Sequence, residues 1–168
     1  MSLYHTDDEE LPSDPMDLIE AIVNSDDRFN AERAEDGDVQ FCFKSAWTEA
    51  AGYFSYRTEL PALLFTLGFD LQASPERMGA TTRLAAMINE NLWLGHFDVW
   101  SDDGSIIFRH AAPMIGRDEI SPGEVQALLA AALDAAERFY PAFKFVVEGG
   151  MAPEDAVQAA MFEIAGEA

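Results

Sequence analysis

Two periodicities alternate along this chain, and together they predict nearly all of its elements. Asp14 precedes Pro15 and an apolar stripe of Leu18, Ile19, Ile22 and Val23, the pattern of a capped helix with proline at its first position. Phe29 to Glu35 and Asp38 to Lys44 then read as two short strands about the turn Asp36-Gly37, with Val39, Phe41 and Phe43 on one face and Gln40 and Cys42 on the other. Gly52 to Glu59 is a third strand, broken by Leu60-Pro61. Leu63, Phe65, Leu67 and Phe69 alternate along a fourth, whose opposite face carries Leu64, Thr66 and Gly68. That face is less polar than a solvated sheet needs, which implies that something covers it.

The second half begins with a change of period. Ser74-Pro75 predicts a helix start, followed by Met78, Thr81, Leu84, Ala85, Ile88 and Leu92 at helical steps. A hairpin follows from Ala86-to-Pro113 patterning, with Asp103-Gly104 as the expected type I′ turn. Phe97 and Val99 then share the core face with Ile106 and Phe108, while His96, Asp98 and Trp100 share the other with Ser105, Ile107 and Arg109. A two-residue turn sets Asp98 opposite Arg109 and Trp100 opposite Ile107; a loop two residues longer shifts the pairing and keeps the faces. Ser121-Pro122-Gly123-Glu124 is a capping box opening a long helix with the stripe Val125, Leu128, Leu129, Ala132, Ala136, Phe139, Tyr140 and Phe143. Pro141 is expected to kink or interrupt it, Gly149-Gly150 to end it, and Pro153 to start a last short helix with Val157, Met161 and Ile164. Segregated strands joined by hairpins predict an α+β fold, an antiparallel sheet with helices mainly on one face.

The order Ile88-Asn89, Gly95 and a following aromatic, an acidic turn ending in Gly104, a hydrophobic strand carrying Arg109 and a helix opened by Ser121 resembles the YbjN family. The resemblance runs from about the first helix to the helix after Ser121. It implies a fold similar to type III secretion chaperones and a role as a bacterial sensory transduction regulator. It brings no catalytic residues with it.

Composition narrows the partners. The 168 residues suit one domain, residues 14–168, behind an acidic tail, residues 1–13, expected to be mobile. Ten Lys and Arg against 31 Asp and Glu give a net charge of −21, with no basic cluster, so nucleic acid and anionic membrane are both disfavoured. The single cysteine, Cys42, the lack of a signal sequence and the lack of a spanning apolar run predict a cytoplasmic protein.

Chemistry is sparse. His5, His96 and His110 are too few and too scattered for a metal site, and the clustered acids lack the alternation of a calcium loop, so neither metal nor cofactor is expected. No nucleophile elbow or phosphate loop occurs, and Cys42 in mid-strand reads as a small apolar filler. The most specific polar cluster is Asp98, Arg109 and Trp100 on the outer face of the hairpin. With Trp47 and Leu64, and with Tyr53 and Trp93 as further large side chains, it suggests an uncovered face or dimer seam. The expectation is a non-enzymatic, homodimeric interaction protein that binds another polypeptide through the outer sheet face or a strand edge. The competing expectation is a small hydrolase or ligand-binding domain with a pocket between helix and sheet.

Overall fold

The fold is a computed structural model that describes residues 14–166, with side chains described through Phe162; the expected tail at residues 1–13 lies outside the described residues. The elements in order are α1 (Pro15–Asn24), β1 (Asn30–Arg33), β2 (Val39–Lys44), β3 (Glu49–Arg57), β4 (Ala62–Gln72), α2 (Met78–Asn89), β5 (His96–Val99), β6 (Ser105–Pro113), α3 (Pro122–Val147) and α4 (Pro153–Gly166). The strands make one open sheet in the order β1-β2-β3-β4-β6-β5, and every neighbouring pair is antiparallel. This is the α+β architecture that the two periodicities predict.

Burial follows strand parity. Along β4 the sequence ALLFTLGFDLQ buries Leu63, Phe65, Leu67, Phe69 and Leu71 and leaves the residues between them partly or fully exposed. The buried face carries a row of phenylalanines across the strands. Ring centroids are 6.2 Å apart for Phe41–Phe54, 4.7 Å for Phe54–Phe65, 6.3 Å for Phe65–Phe108 and 5.6 Å for Phe108–Phe97. Such contacts add about 0.5–1.5 kcal/mol each beyond the area they bury. Met16, Ile19 and Val23 of α1, Leu84 and Ile88 of α2, and Val125, Ala132 and Phe143 of α3 complete this core, while Ala156 and Ala160 bring α4 onto it. All four helices therefore stand on the phenylalanine side.

Three expectations need correction. The β5–β6 hairpin pairs Asp98 with Ile107 and Val99 with Ile106, so its register is two residues from the tight-turn expectation and the faces are kept. The loop is Ser101 to Gly104, closed by Trp100 N–H donating to the Ser105 carbonyl at 2.9 Å. A type I′ turn needs positive φ at two residues, and only Gly104 has it, at 74°. A Cβ on Gly104 would overlap the backbone of Ala73, whose N–H donates to the Gly104 carbonyl at 2.9 Å; this docking, rather than the dipeptide alone, selects the loop. Helix α2 begins at Met78, not at Ser74-Pro75, because Ser74 to Arg77 form a turn in which the Ser74 carbonyl accepts from Arg77 and Met78 N–H.

Pro141, third, does not interrupt α3, which runs 26 residues from its Ser121–Glu124 capping box. Proline has no N–H for the carbonyl four residues back, that of Glu137. Trp47 supplies the missing donor, its indole Nε1–H donating to the Glu137 carbonyl at 3.0 Å. The Glu137 side chain also accepts from Ala46 N–H at 3.2 Å, so the β2–β3 turn is fastened to α3 at the point where proline leaves an acceptor free.

Candidate interaction face

The opposite face of the sheet carries no helix among the described residues. Its relief follows from the register, which sets Cys42 beside Ala51, Ala51 beside Gly68, Gly68 beside Ile107 and Ile107 beside Asp98. Small side chains at the centre of that row make a floor. Rows two residues away stand higher, with Gln40, Tyr53, Thr66, Arg109 and His96 on one side. Glu49, Asp70, Ser105 and Trp100 rise on the other. The result is a hollow of about 500 Å³ lined by Cys42, Ala51, Tyr53, Thr66, Gly68 and Trp100 among others. Trp100 is 47% exposed and Ile107 beside it is buried.

Asp98 and Arg109 lie on this face and approach to 3.6 Å, both about half exposed, so their attraction is screened and contributes little to stability. Leu64 is on the same face but at the other end of β4, opposite Ser55 and Ala111. Beside it the Ser55 hydroxyl donates at 2.7 Å to Asp38, which also accepts from Arg57 at 3.1 Å. This buried carboxylate is fully satisfied, and the Arg57 guanidinium is held more firmly protonated by it. Trp47 does not belong to the group. It packs on the helix side against α3, where its indole is committed to Glu137. Trp93 also lies off the outer face, near Leu94, His110, Ile120 and Leu128.

Electrostatically the hollow is one-sided. Glu49, Asp70 and Asp103 line it, and among the described residues none of the three has a cationic partner within 4.0 Å. The Ser105 backbone N–H donates to Asp103 at 2.9 Å and, with the Ser105 hydroxyl, holds its carboxyl below the usual range. His110 points to the core side; burial, and then the nearby His96, push its pKa down. No cluster of three or more His, Cys, Asp or Glu able to hold a metal ion occurs among the described residues.

Each edge strand has one backbone pair taken up by the same device. Asn24, the last residue of α1, accepts from Ala31 N–H at 2.8 Å and donates to the Ala31 carbonyl at 3.2 Å. Asn89, the last residue of α2, accepts from Phe97 N–H at 2.7 Å and donates to the Phe97 carbonyl at 2.9 Å. Ala31 lies on the edge strand β1 and Phe97 on the edge strand β5, so each asparagine amide occupies an outward-facing backbone pair that an added strand would need. On each edge strand one such pair is thereby taken up from within the domain. The floor residues Ala51 and Gly68 were not among the expected site residues; the signal for them was the weakly polar alternate face of β4.

An open antiparallel sheet, backed by helices on one face and bare on the other, defines a small α+β domain whose distinctive surface is the sheet itself. The chain belongs to the YbjN family, described as "Putative bacterial sensory transduction regulator", which matches residues 15–145. No curated protein matches the chain. No helix among the described residues is long and apolar enough to cross a membrane.

Proposed function

We propose that this protein is a non-enzymatic regulatory module of the cytoplasm that works by holding another polypeptide on the outer face of its sheet. The observation that carries the reading is the hollow between Tyr53 and Trp100, an apolar depression on a face that the domain's own helices leave bare. Trp100 is its anchor, and the Asp98–Arg109 pair lies beside that anchor, a combination enriched where binding energy concentrates. The backbone pairs that Asn24 and Asn89 take up on the two edge strands favour the face over strand addition. The pocket-enzyme alternative gains little support, since the hollow of about 500 Å³ lies away from the helices and its one thiol, Cys42, has no histidine among the lining residues.

The test is affinity purification from the native cell with mass spectrometry, run beside Trp100→Ala. The reading expects a protein recovered by the native chain and lost with Trp100→Ala, while Trp47→Phe recovers it. Equal recovery with Trp100→Ala overturns it. Homodimerisation has a separate candidate surface, the sheet end where Leu60 and Ile115, 78% and 77% exposed, flank the pairing of Ala62 with Pro113. Light scattering at micromolar concentration tests it, and a monomer in all salt conditions removes it.

A further inference from the structure

Resting on the reading above, we infer that the hollow is a cross-strand trough for a basic polypeptide segment, in which apolar side chains of the partner meet the Ala51–Gly68 floor and its lysines or arginines meet the Glu49–Asp70–Asp103 wall. The trough runs across β2, β3, β4 and β6, three strand spacings of about 4.8 Å each, or the span of about four extended residues. Its floor is apolar and its walls differ. Tyr53 and Thr66 make one, neutral apart from Arg109, which is already ion-paired with Asp98. The other presents Glu49, Asp70 and Asp103, with Lys44 across from Glu49 as the cation at its end.

Charge complementarity selects the occupant. A chain of net charge −21 attracts cationic segments at long range and repels a second copy of itself. Face-to-face pairing of two copies would bring two chains of the same strongly negative charge into contact, where screening with a Debye length of about 8 Å at physiological salt is weakest. A polypeptide alternating apolar and basic residues meets both demands, because its apolar side chains face the floor while the long, flexible Lys and Arg side chains of the other set bend over to the acid wall.

Gly68 provides the decisive variant. Its φ is not in the left-handed region, and a Cβ built there meets nothing nearer than the Ala51 carbonyl and Ile107 Cγ2, both at 3.9 Å. A Cβ at this position therefore needs no shift of its neighbours, and Val, with better β propensity than glycine, projects its two methyls into the trough. Cys42, the only cysteine in the chain and a lining residue, reports occupancy through its alkylation rate.

The probes are three eight-residue peptides that alternate Lys with Leu, Glu with Leu, and Lys with Ser. Each is titrated by fluorescence anisotropy, with Cys42 alkylation followed in parallel. The Lys–Leu peptide is expected to bind at least about tenfold more tightly than either other peptide and to slow Cys42 alkylation. It is expected to weaken as salt rises from about 0.05 to about 0.5 M and to lose about tenfold or more in affinity with Gly68→Val, whose urea midpoint stays at or above that of the native chain. Gly68→Ala should bind nearly as the native chain does. If the Glu–Leu peptide binds equally well and is sensitive to Gly68→Val, the inference falls while the interaction-face reading stands. Binding by Gly68→Val at native strength, no binding by the Lys–Leu peptide, or light scattering that shows a dimer abolished by Gly68→Val each overturns it.

Discussion

Replacing Trp47 with phenylalanine removes one hydrogen bond and keeps an aromatic ring, and its cost depends on a residue far away in the chain. The Glu137 carbonyl cannot receive the usual intrahelical bond because residue 141 is proline, and the Trp47 indole supplies the substitute at 3.0 Å. Losing a hydrogen bond costs about 0.5–1.5 kcal/mol net, and stranding a partly buried acceptor brings the total to about 1–3 kcal/mol. Pro141→Ala restores the backbone donor, so the same Trp47→Phe change in that background leaves the Glu137 carbonyl partnered and costs only the lesser amount. The two substitutions are thus expected to couple by about 1 kcal/mol or more, the sign being that Pro141→Ala shields the protein from loss of the indole N–H. Urea unfolding followed by circular dichroism on the four proteins of the cycle gives the coupling from midpoints and slopes. An equal cost of Trp47→Phe in both backgrounds would refute the assignment of the indole as the proline's replacement donor. So would a cost near zero with Pro141 in place.

Asn24→Ala and Asn89→Ala each delete an amide that satisfies both backbone groups of an edge residue, so each is expected to cost about 1–3 kcal/mol in urea melts. The costs should add, because the two sites are at opposite edges of the sheet, and the double variant should self-associate more by light scattering. Glu124, whose carboxyl is lowered to about 2 by Arg117 and then by the Ser121 backbone, contributes stability that is present above the unfolded value of 4.5 and is lost as pH falls toward about 2. The group is well exposed, so thermal unfolding should show a shallow acid limb, flattened by Glu124→Gln; an unchanged limb counts against the assignment. Gly95, with φ of 70° and no room for a Cβ beside the Phe108 ring, should lose about 2–4 kcal/mol as alanine, whereas Gly37→Ala, with φ of 89° but open space around it, should lose only about 1 kcal/mol. Equal losses at the two glycines, measured by denaturant midpoints, would show that packing against Phe108 is not what distinguishes them.

These cases also explain which parts of the molecule could be read from residues in order and which could not. Strand faces are local, because parity within β4 or β6 separates Phe65 and Phe108 from Thr66 and Arg109 whatever the neighbours are, and the capping box at Ser121 is complete within four residues. Register is less local. The β5–β6 loop is chosen partly by Ala73, which receives Gly104, so Asp103-Gly104 alone pointed to a tighter turn than the one present. Trp47 is the clearest failure of reading in order. As a large side chain at a turn it resembled a free surface aromatic, and only the tertiary fold brings it to the carbonyl that Pro141 leaves unpaired. The same logic separates Trp100 from the floor beneath it. An exposed indole on an alternating strand is visible in the sequence, but a trough exists only because the β3–β4 and β4–β6 registers bring Ala51, Gly68 and Ile107 into one row. Two of those three residues carry almost no side chain, and a site made by what is missing has no motif. It can be recognised only once the neighbours that rise around it, Tyr53 and Trp100, are in place.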